Sequence, residues 1–376
     1  MVSVNHWPKG VSMREKTRRE AILLSLQTAA YAAASGKGLS FSAEMPDDSQ
    51  WPSLKSIGAR FGCPVGTATP YQMLQDAAIA QIVTMEFNLL TASGMKWVAI
   101  HPDPDRYDFT EGDWNVHFAE EHGMQIHGHN LCWNNPAGNP AWLQSVLNRN
   151  NAREILTSHI TTVMKRYQGR VASWDVVNEP VVSWPVKTGG LYPGIWLQTL
   201  GPEYLDIAFH AAAEADPKAL RIMNVHALEQ DTPENELART RVIEWLKELL
   251  SRGVPIQAVG IESHLDAARP LADAAMWKFL ATIREMGLRV LVTELDVKES
   301  RATGNSHDWD VTIADYYSNY LAEVLSTVQP QSIIFWSLTD RWDGKDKVQG
   351  LLQNNLSPRL SLLSAAQALE KGPSHG

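Results

Sequence analysis

The sequence predicts a single-domain (β/α)₈ barrel, a TIM barrel of the α/β class, and three observations lead to this fold class. Short apolar segments rich in β-branched residues alternate with longer helical segments from about residue 60 onward. Such alternation is typical of parallel strands joined by right-handed helical crossovers. Eight apolar segments occur, and eight parallel strands close this barrel. An open doubly wound sheet is the alternative, but the sequence contains no glycine-rich phosphate loop to favour it.

The individual elements are predicted from local patterns. Strands are predicted at 60–65, 82–88, 125–131, 171–178, 221–225, 257–264, 289–296 and 332–338. The clearest helices are predicted at 151–167, 203–214, 234–251, 271–286 and 313–326. The helix at 234–251 has a strong start signal, because Thr232 offers a cap and Pro233 suits the first helical position. Helix ends are indicated by glycines at Gly123, Gly169, Gly253 and Gly287.

The composition excludes some classes of partner. The formal net charge is −9, the pI is about 5.7 and no basic stripe occurs, so we expect no nucleic-acid partner. The 14 tryptophans offer flat faces that suit sugar rings, although several must lie in the core. With only Cys63 and Cys132 the chain has no disulfide framework, and we expect two buried, reduced thiols.

The N-terminal residues differ from the rest of the chain. A charged segment with Arg18 and Arg19 precedes a weakly apolar segment at 21–34 that ends in small residues. This order is typical of an export signal of the twin-arginine type. We therefore expect an export signal at 1–38, a linker at 39–54, the catalytic barrel at 55–376 and a secreted or periplasmic bacterial protein. An amphipathic N-terminal helix is the alternative, and the apolar part is too short to span a bilayer.

Two glutamates at the ends of predicted strands are the candidate catalytic groups. Residues 174–180 read Trp-Asp-Val-Val-Asn-Glu-Pro and deliver Glu179, and residues 289–296 read Arg-Val-Leu-Val-Thr-Glu-Leu-Asp and deliver Glu294. Barrel enzymes keep their chemistry at the C-terminal ends of the strands, and glycoside hydrolysis requires two carboxyl groups. The alternative is that both are ordinary solvated charges at strand ends.

These two motifs resemble the acid/base and nucleophile motifs of glycoside hydrolase family 10, the retaining β-1,4-xylanases. The resemblance extends from about residue 55 to the C-terminus and includes Leu-Gly-Pro-Glu-Tyr-Leu at 200–205. It implies that Glu294 is the nucleophile, that Glu179 is the acid/base and that Asn178 binds the sugar 2-hydroxyl. It also implies that His264 and Asp296 orient the nucleophile. Glu262 stands where the family has Gln and adds a third carboxyl, and such groups titrate as a coupled set.

The same resemblance implies the substrate-binding residues, with departures. They are expected to be Lys96, His129, Trp133, Trp336 and Trp342. The family has a Glu and an Asn shortly before Met95-Lys96-Trp97, and this chain lacks both. His226, in Asn-Val-His where the family has Asn-Asp-Tyr, is expected to change a wall of the cleft and not the catalytic pair. His127 and His129 suggest a metal site, but no third ligand is evident and we expect neither metal nor cofactor.

Xylan or xylo-oligosaccharides are therefore the expected substrate, cleaved at internal β-1,4 bonds by double displacement in a monomeric enzyme. Two alternatives stay open at this point. The same mechanism could act on another β-linked glycoside, such as an oligosaccharide on a plant aglycone, which the missing Glu and Asn favour. A catalytically silent sugar-binding barrel is the alternative from a different class.

Overall fold

A computed structural model describes residues 52–300, 306–340 and 348–373 and contains a closed barrel of eight parallel strands. Each barrel strand pairs in parallel with its two neighbours, and the last strand pairs with the first to close the barrel. The barrel strands are β1 (Val65–Ala68), β2 (Leu89–Ala92), β3 (Gln125–Gly128), β4 (Ser173–Asn178), β5 (Leu220–Val225), β6 (Ala258–Ile261), β8 (Arg289–Lys298) and β9 (Ile333–Phe335). The predicted fold class is confirmed.

Two short strands and a set of helices complete the structure. β7 (His264–Asp266) pairs with β8 in parallel, and β10 (Val348–Gln349) pairs with β8 antiparallel. The α-helices are α1 (Leu54–Ala59), α2 (Tyr71–Leu74), α3 (Ala77–Glu86), α4 (Trp97–Ile100), α5 (Thr110–Glu121), α6 (Ala141–Val146), α7 (Ala152–Arg166), α8 (Ile195–Leu200), α9 (Glu203–Ala215), α10 (Pro233–Ser251), α11 (Asp273–Glu285), α12 (Ser306–Thr327) and α13 (Leu360–Lys371). All five helices predicted above are present within a few residues; the largest difference is α12, which begins seven residues early.

The first two predicted strands were wrong in position. Residues 82–88 lie mostly in α3, which Asp76 caps by accepting a hydrogen bond from the Ala78 N–H at 2.9 Å. The strand follows at Leu89–Ala92. A short apolar run fits a buried helix as well as a strand, and here the unrecognised cap decides for the helix. Likewise, residues 60–62 form a turn with Gly62 at φ 70°, and the first strand begins only at Val65.

Most residues of the barrel strands are buried, and the carboxyl groups of the site lie in these strands or directly after them. Every residue of β1, β2, β4, β5, β6 and β9 is buried, as expected for parallel strands covered on both faces. Gly260 in β6 is required by the site, because a Cβ there would lie 2.3 Å from Oδ1 of Asn224. Cys63 and Cys132 are buried free thiols, as predicted.

Some predictions concern parts of the chain outside the described residues. These are the export signal at 1–38, most of the linker at 39–54 and the substrate-binding role of Trp342. Over the part of the chain that the structure describes, no helix combines the length and the apolar character needed to cross a bilayer.

Candidate active site

Glu179 and Glu294 are presented on two different strands of the barrel, in different local geometries. Glu179 follows β4 directly and has a left-handed φ of 46°, and its N–H donates to the Asn224 carbonyl at 2.8 Å. Glu294 was predicted near the end of its strand, but β8 continues to Lys298. The pairing of β8 with β9 shifts register between Val292 and Leu295, so Glu294 lies at an irregularity of the ladder. Such irregularities often re-aim side chains near sites.

Glu294 is buried, with only 5% of its surface exposed, and has several polar partners. Its Oε1 accepts from Asn224 Nδ2 at 2.9 Å, and its Oε2 lies 3.2 Å from His264 Nε2. Nδ1 of His129 lies 3.8 Å from Oε1. Burial raises the pKa of Glu294, but the charge of His129 and the hydrogen bond and charge of His264 outweigh it. The pKa of Glu294 therefore lies below its ordinary value and the carboxylate is ionised at neutral pH.

His264 connects two carboxylates. Its Nδ1 lies 2.9 Å from Asp296 Oδ1 while its Nε2 faces Glu294. The outer edge of the ring is accessible, with 40% of the side chain exposed. Burial of the nitrogens lowers the pKa of His264, yet the charge of Asp296 and the hydrogen bonds to both carboxylates raise it well above 6.5 overall. A protonated imidazolium therefore lies between the two carboxylates, as expected for a group that orients a nucleophile.

Glu179 has a much poorer set of partners. Its side chain is 20% exposed. Its carboxylate accepts from Asn178 Nδ2 at 3.3 Å, and a hydrogen bond with the Trp133 side chain lowers its pKa. Burial and the negative charge of Glu294 raise the pKa of Glu179 to about 7, although His264 and Lys96 oppose this rise. Near neutral pH this group can both hold and give up a proton.

Asn224 joins the two glutamates, and its importance was missed in the sequence. Its Nδ2 lies 2.8 Å from Asn178 Oδ1, 2.9 Å from Glu294 Oε1 and 3.2 Å from Glu262 Oε1. An amide has two N–H hydrogens, so it cannot make three full hydrogen bonds, and the longest is to Glu262. Its Oδ1 accepts from Thr293 Oγ1 at 2.7 Å, which fixes the orientation of the amide. A polar residue near the C-terminal end of the fifth strand was the available signal.

Glu262 is the third carboxyl of the site and is 2% exposed. Besides Asn224 it has His264, whose Nε2 lies 3.9 Å from Oε2. Burial raises the pKa of Glu262 well above 4.5, and the charges of Glu294 and Glu179 add to this effect. The buried position and the neighbouring negative charges therefore favour the protonated, neutral form of Glu262.

Asp175 is a third potential ligand beside His127 and His129, and the expectation that none exists was wrong. Its Oδ2 lies 2.8 Å from both His127 Nε2 and His129 Nδ1. Burial raises the pKa of Asp175, but the two histidines lower it to about 2. Ser173 Oγ occupies the other nitrogen of His127 at 2.9 Å. The three groups therefore form a hydrogen-bonded chain through Asp175 Oδ2 that leads by way of His129 toward Glu294, while Asp175 Oδ1 has no hydrogen bond within the described residues.

Lys96 lies between two partly exposed tryptophans. Its Nζ is 5.5 Å from the ring centroid of Trp133 and 5.9 Å from that of Trp336. Trp336 also packs edge-on against His129 at 5.3 Å and against His264 at 6.1 Å. Since neither tryptophan is fully buried, both rings present surface beside the carboxyl groups.

His226 was expected to affect only a wall of the cleft, and the structure places it against the acid/base candidate instead. Its Nδ1 lies 3.7 Å from Glu179 Oε2. Burial lowers the pKa of His226 to about 4, and the charge of His264 contributes to this lowering. His226 is therefore neutral beside Glu179. The sequence shows His226 two residues after Asn224. It does not show where β5 ends, and the direction of the His226 side chain depends on that end.

Three residues other than glycine adopt left-handed φ at these strand ends. Glu179 (φ 46°), Ala227 (φ 59°) and Ser263 (φ 63°) follow β4, β5 and β6. Buried Glu229 supports this region, since its Oε1 accepts from the Ser263 N–H and its Oε2 from the Leu228 N–H, both at 2.9 Å. Strained conformations that the surroundings hold in place are typical of functional sites.

Comparisons with known proteins agree with this geometry. The sequence profile of glycosyl hydrolase family 10 matches residues 53–361. Endo-1,4-beta-xylanase B of Thermotoga neapolitana is 33% identical over 264 residues, covering 70% of this chain and 73% of that protein. Endo-1,4-beta-xylanase 3 of Hypocrea jecorina is 30% identical over 298 residues, covering 78% of this chain and 79% of that protein.

Solved structures give the same result. Native xylanase 10B from Thermotoga maritima superposes with a TM-score of 0.74 at 30% identity, covering 85% of this chain and 98% of that one. Xylanase 10B from Thermotoga petrophila, in complex with xylobiose, has a TM-score of 0.75 at 29% identity and covers 88% and 99%. With the barrel and the carboxyl groups in place, these matches identify the chain as a glycoside hydrolase that belongs to glycosyl hydrolase family 10.

Proposed function

We propose that this protein hydrolyses internal β-1,4-xylosidic bonds of xylan or xylo-oligosaccharides with retention of anomeric configuration. The observation that carries the proposal is the opposite effect of the barrel on two carboxyl groups. The pKa of Glu294 is lowered, whereas that of Glu179 is raised to about 7. Carboxyl groups whose pKa values are driven apart indicate the nucleophile and the acid/base of a retaining glycosidase. The xylan specificity follows from the names of the relatives.

The first step uses the two carboxyl groups in different protonation states. Ionised Glu294 attacks the anomeric carbon and forms a covalent glycosyl-enzyme, while Glu179 gives its proton to the leaving oxygen. His264 and Asn224 hold the Glu294 carboxylate by both oxygens, which fixes its direction of attack. Asn178 donates to Glu179 at 3.3 Å and would also reach the sugar 2-hydroxyl.

In the second step Glu179 acts as a base. It removes a proton from water, the resulting hydroxide equivalent attacks the anomeric carbon, and Glu294 leaves as a carboxylate. Glu179 regains its proton in this step, so the enzyme returns to its starting state. Lys96, Trp133 and Trp336 would bind the sugar on either side of the cleavage point, with His129 at its edge.

Product analysis tests this proposal directly. The enzyme is incubated with xylan, xylo-oligosaccharides and a panel of plant glycosides, and the first anomer released is identified by proton NMR. Short xylo-oligosaccharides with the β configuration first are expected. A first product of α configuration would contradict retention of anomeric configuration. No cleavage of xylan, together with rapid cleavage of another glycoside of the panel, would contradict the proposed substrate.

A second substrate class is favoured by a specific observation. The turn between β2 and α4, Ser93–Met95, has no carboxylate or amide side chain ahead of Lys96, where the family has a Glu and an Asn. These groups bind a sugar beyond the cleaved unit, so their absence favours a substrate with fewer sugar contacts on that side, such as a β-linked oligosaccharide on a plant aglycone. The same panel decides this through the ratio of kcat/KM for aryl glycosides to that for xylotetraose.

We also propose that the protein is exported and acts as a monomer. The Arg18-Arg19 pair and the apolar segment at 21–34 support export by a twin-arginine route. Cell fractionation tests this, since replacing Arg18 and Arg19 by lysine is expected to retain the protein in the cytoplasm. Light scattering at micromolar concentration is expected to give the mass of one chain, 41.8 kDa less any cleaved signal.

A further inference from the structure

Three side chains from neighbouring strand ends converge beside the acid/base candidate. Glu179 follows β4, His226 follows β5 and Glu262 follows β6, and these strands are adjacent in the barrel. One ligand atom from each of the three residues lies within 4.8 Å of the other two. Each residue directly follows the last residue of its strand, so the paired strands bring the three positions together.

His226 brings an unused nitrogen to this cluster. Its Nδ1 is inaccessible to solvent and makes no hydrogen bond to any residue in the described ranges. Glu179 Oε2, at 3.7 Å, is too far for a hydrogen bond. Buried polar atoms are almost always satisfied, so an orphaned nitrogen that faces two carboxyl groups needs an explanation.

We propose that Glu179, His226 and Glu262 form a binding site for a divalent transition-metal ion of the Zn²⁺ type, and that the bound ion inhibits the enzyme. Imidazole nitrogens and carboxylate oxygens are both protein ligands of Zn²⁺, which would take a water as its fourth ligand here. The carboxyl protons of Glu262 and Glu179 are released to solvent as the ion binds. Mg²⁺ and Ca²⁺ fit poorly, because they prefer six or more oxygen ligands. A separation of 3.7 Å between two ligand atoms fits metal–ligand bonds of about 2.0–2.2 Å after a small closure.

Two other clusters of ligating residues are less suitable. In the cluster of Glu262, His264 and Glu294, both nitrogens of His264 are already bound, to Asp296 and to Glu294. In the cluster of His127, His129 and Asp175, one carboxylate oxygen accepts from both histidines. A metal ion would have to break these hydrogen bonds, whereas at His226 it would satisfy a nitrogen that has none.

Inhibition follows from the proposed function of Glu179. An ion held by the Glu179 carboxylate occupies the oxygens that must carry the proton for the leaving group. Glu179 can then neither protonate the leaving oxygen nor activate water. This part of the inference rests on the proposed acid/base role, but the binding of the ion does not.

Calorimetric titration of the full-length, chelator-treated protein with ZnCl₂ tests the binding. One ion per chain is expected to bind to the wild type, and MgCl₂ is expected to give no heat. His226→Phe and Glu262→Gln are each expected to weaken binding by about 100-fold or more, since even loss of outer-shell partners changes metal affinity by about 10- to 100-fold. Circular dichroism establishes that each variant is folded, and if one is not, the other carries the test.

A matched control comes from the surface. His117 lies 3.1 Å from Glu121 on α5 and is 68% exposed, so it is an alternative histidine–carboxylate pair. His117→Phe is expected to bind Zn²⁺ as the wild type does. The absence of Zn²⁺ binding by the wild type, or undiminished binding by His226→Phe, would overturn the proposal. Loss of binding in His117→Phe alone would also overturn it, by moving the ion to the surface.

Activity measurements then separate the two inferences. Hydrolysis of xylotetraose is measured with and without Zn²⁺, and each protein is compared with its own metal-free rate. The wild type and His117→Phe are expected to lose activity as Zn²⁺ saturates the site, whereas the rate of His226→Phe stays constant. Stoichiometric binding without inhibition would refute the inhibitory role. A wild-type enzyme that is inactive on every glycoside without metal would instead contradict the proposed function, and the calorimetric result would still stand.

Discussion

The two proposed catalytic glutamates lie in one barrel but in contrasting surroundings. The Glu294 side chain is 6% exposed and has hydrogen bonds from Asn224 and His264. The Glu179 side chain is 20% exposed, accepts from Asn178 at 3.3 Å and has a further hydrogen bond with the Trp133 side chain. The more deeply buried carboxyl nevertheless has the lower pKa. Donors and positive charge aimed at a carboxylate therefore decide its ionisation more than burial does.

This contrast explains how one site holds an ionised and a protonated carboxyl together. The negative charge of Glu294 is a direct cause of the raised pKa of Glu179. The protonated state of the proposed acid/base, Glu179, therefore depends on the ionised state of the proposed nucleophile, Glu294. His264 in turn keeps Glu294 ionised by lowering its pKa. The two halves of the site can be tested separately, because their supporting residues are mostly different.

The strongest test removes the nucleophile. Glu294→Ala is expected to lower kcat/KM by about 10⁵-fold or more on every glycoside, the scale on which loss of a nucleophile acts in other hydrolases. No other carboxyl replaces it, because Glu262 is neutral and directed to Asn224. Steady-state rates on an aryl β-xylobioside and on xylotetraose provide the measurement. Residual activity within about 100-fold of the wild type would place the nucleophile elsewhere.

Removal of the acid/base is expected to have a smaller and more selective effect. Glu179→Ala should lower kcat/KM on xylotetraose by about 10²- to 10⁴-fold, the usual contribution of a general acid. On an aryl glycoside with a good leaving group the first step needs no proton, so a rapid burst of phenol is expected. Azide should then restore the second step and yield a β-glycosyl azide. Equal losses on both substrates without azide rescue would contradict the assignment of roles.

Much of this contrast was accessible from the sequence, and part of it was not. The barrel, both glutamates and the partners His264 and Asp296 were predicted, because each lies in or beside a short apolar strand with a recognisable pattern. Strand β2 was predicted too early in the chain. Asp76 caps a helix that includes most of the apolar residues at 82–88, and the strand begins only at Leu89. Local sequence patterns therefore located those site residues whose side-chain direction is determined by the strand that carries them.

Residues that follow a strand and precede a residue with left-handed φ were harder to place. His226 and Glu262 are each followed by a residue with left-handed φ, Ala227 and Ser263, which no local sequence pattern indicated. The role of Asp175 depends on the pairing of β3 with β4, which brings it beside His127 and His129. Sequence alone does not fix these contacts, because they join residues 35 or more positions apart.

The pH dependence of kcat/KM sharpens the comparison at a smaller scale. The alkaline limb is expected near the pKa of Glu179, about 7. Lys96 lowers that pKa, so Lys96→Met removes a positive charge, raises the pKa and moves the limb to higher pH. Profiles are measured on xylotetraose with a chelator present. A limb that moves to lower pH would show that Lys96 does not act on Glu179 through its charge.

Glu262→Gln provides the matched test of the third carboxyl. If Glu262 is neutral, as its raised pKa indicates, exchange for a neutral amide leaves the alkaline limb near that of the wild type. If Glu262 were ionised, removal of its negative charge would lower the pKa of Glu179 and move the limb to lower pH. The same profiles on the same substrate distinguish these outcomes, and a clear acidic shift would contradict the neutral state.

The smallest expected effect concerns the left-handed residue that follows His226. Ala227 has a φ of 59°, a region in which an L-residue costs about 1–2 kcal/mol. Ala227→Gly removes that strain but gains freedom in the unfolded chain, so the free energy of unfolding should rise by about 0.5–1 kcal/mol. Urea titration at pH 7 measures the change, and Ala322→Gly in the middle of α12 is the control, expected to destabilise by about 1 kcal/mol. Equal destabilisation by both substitutions would show that the backbone of Ala227 is not strained.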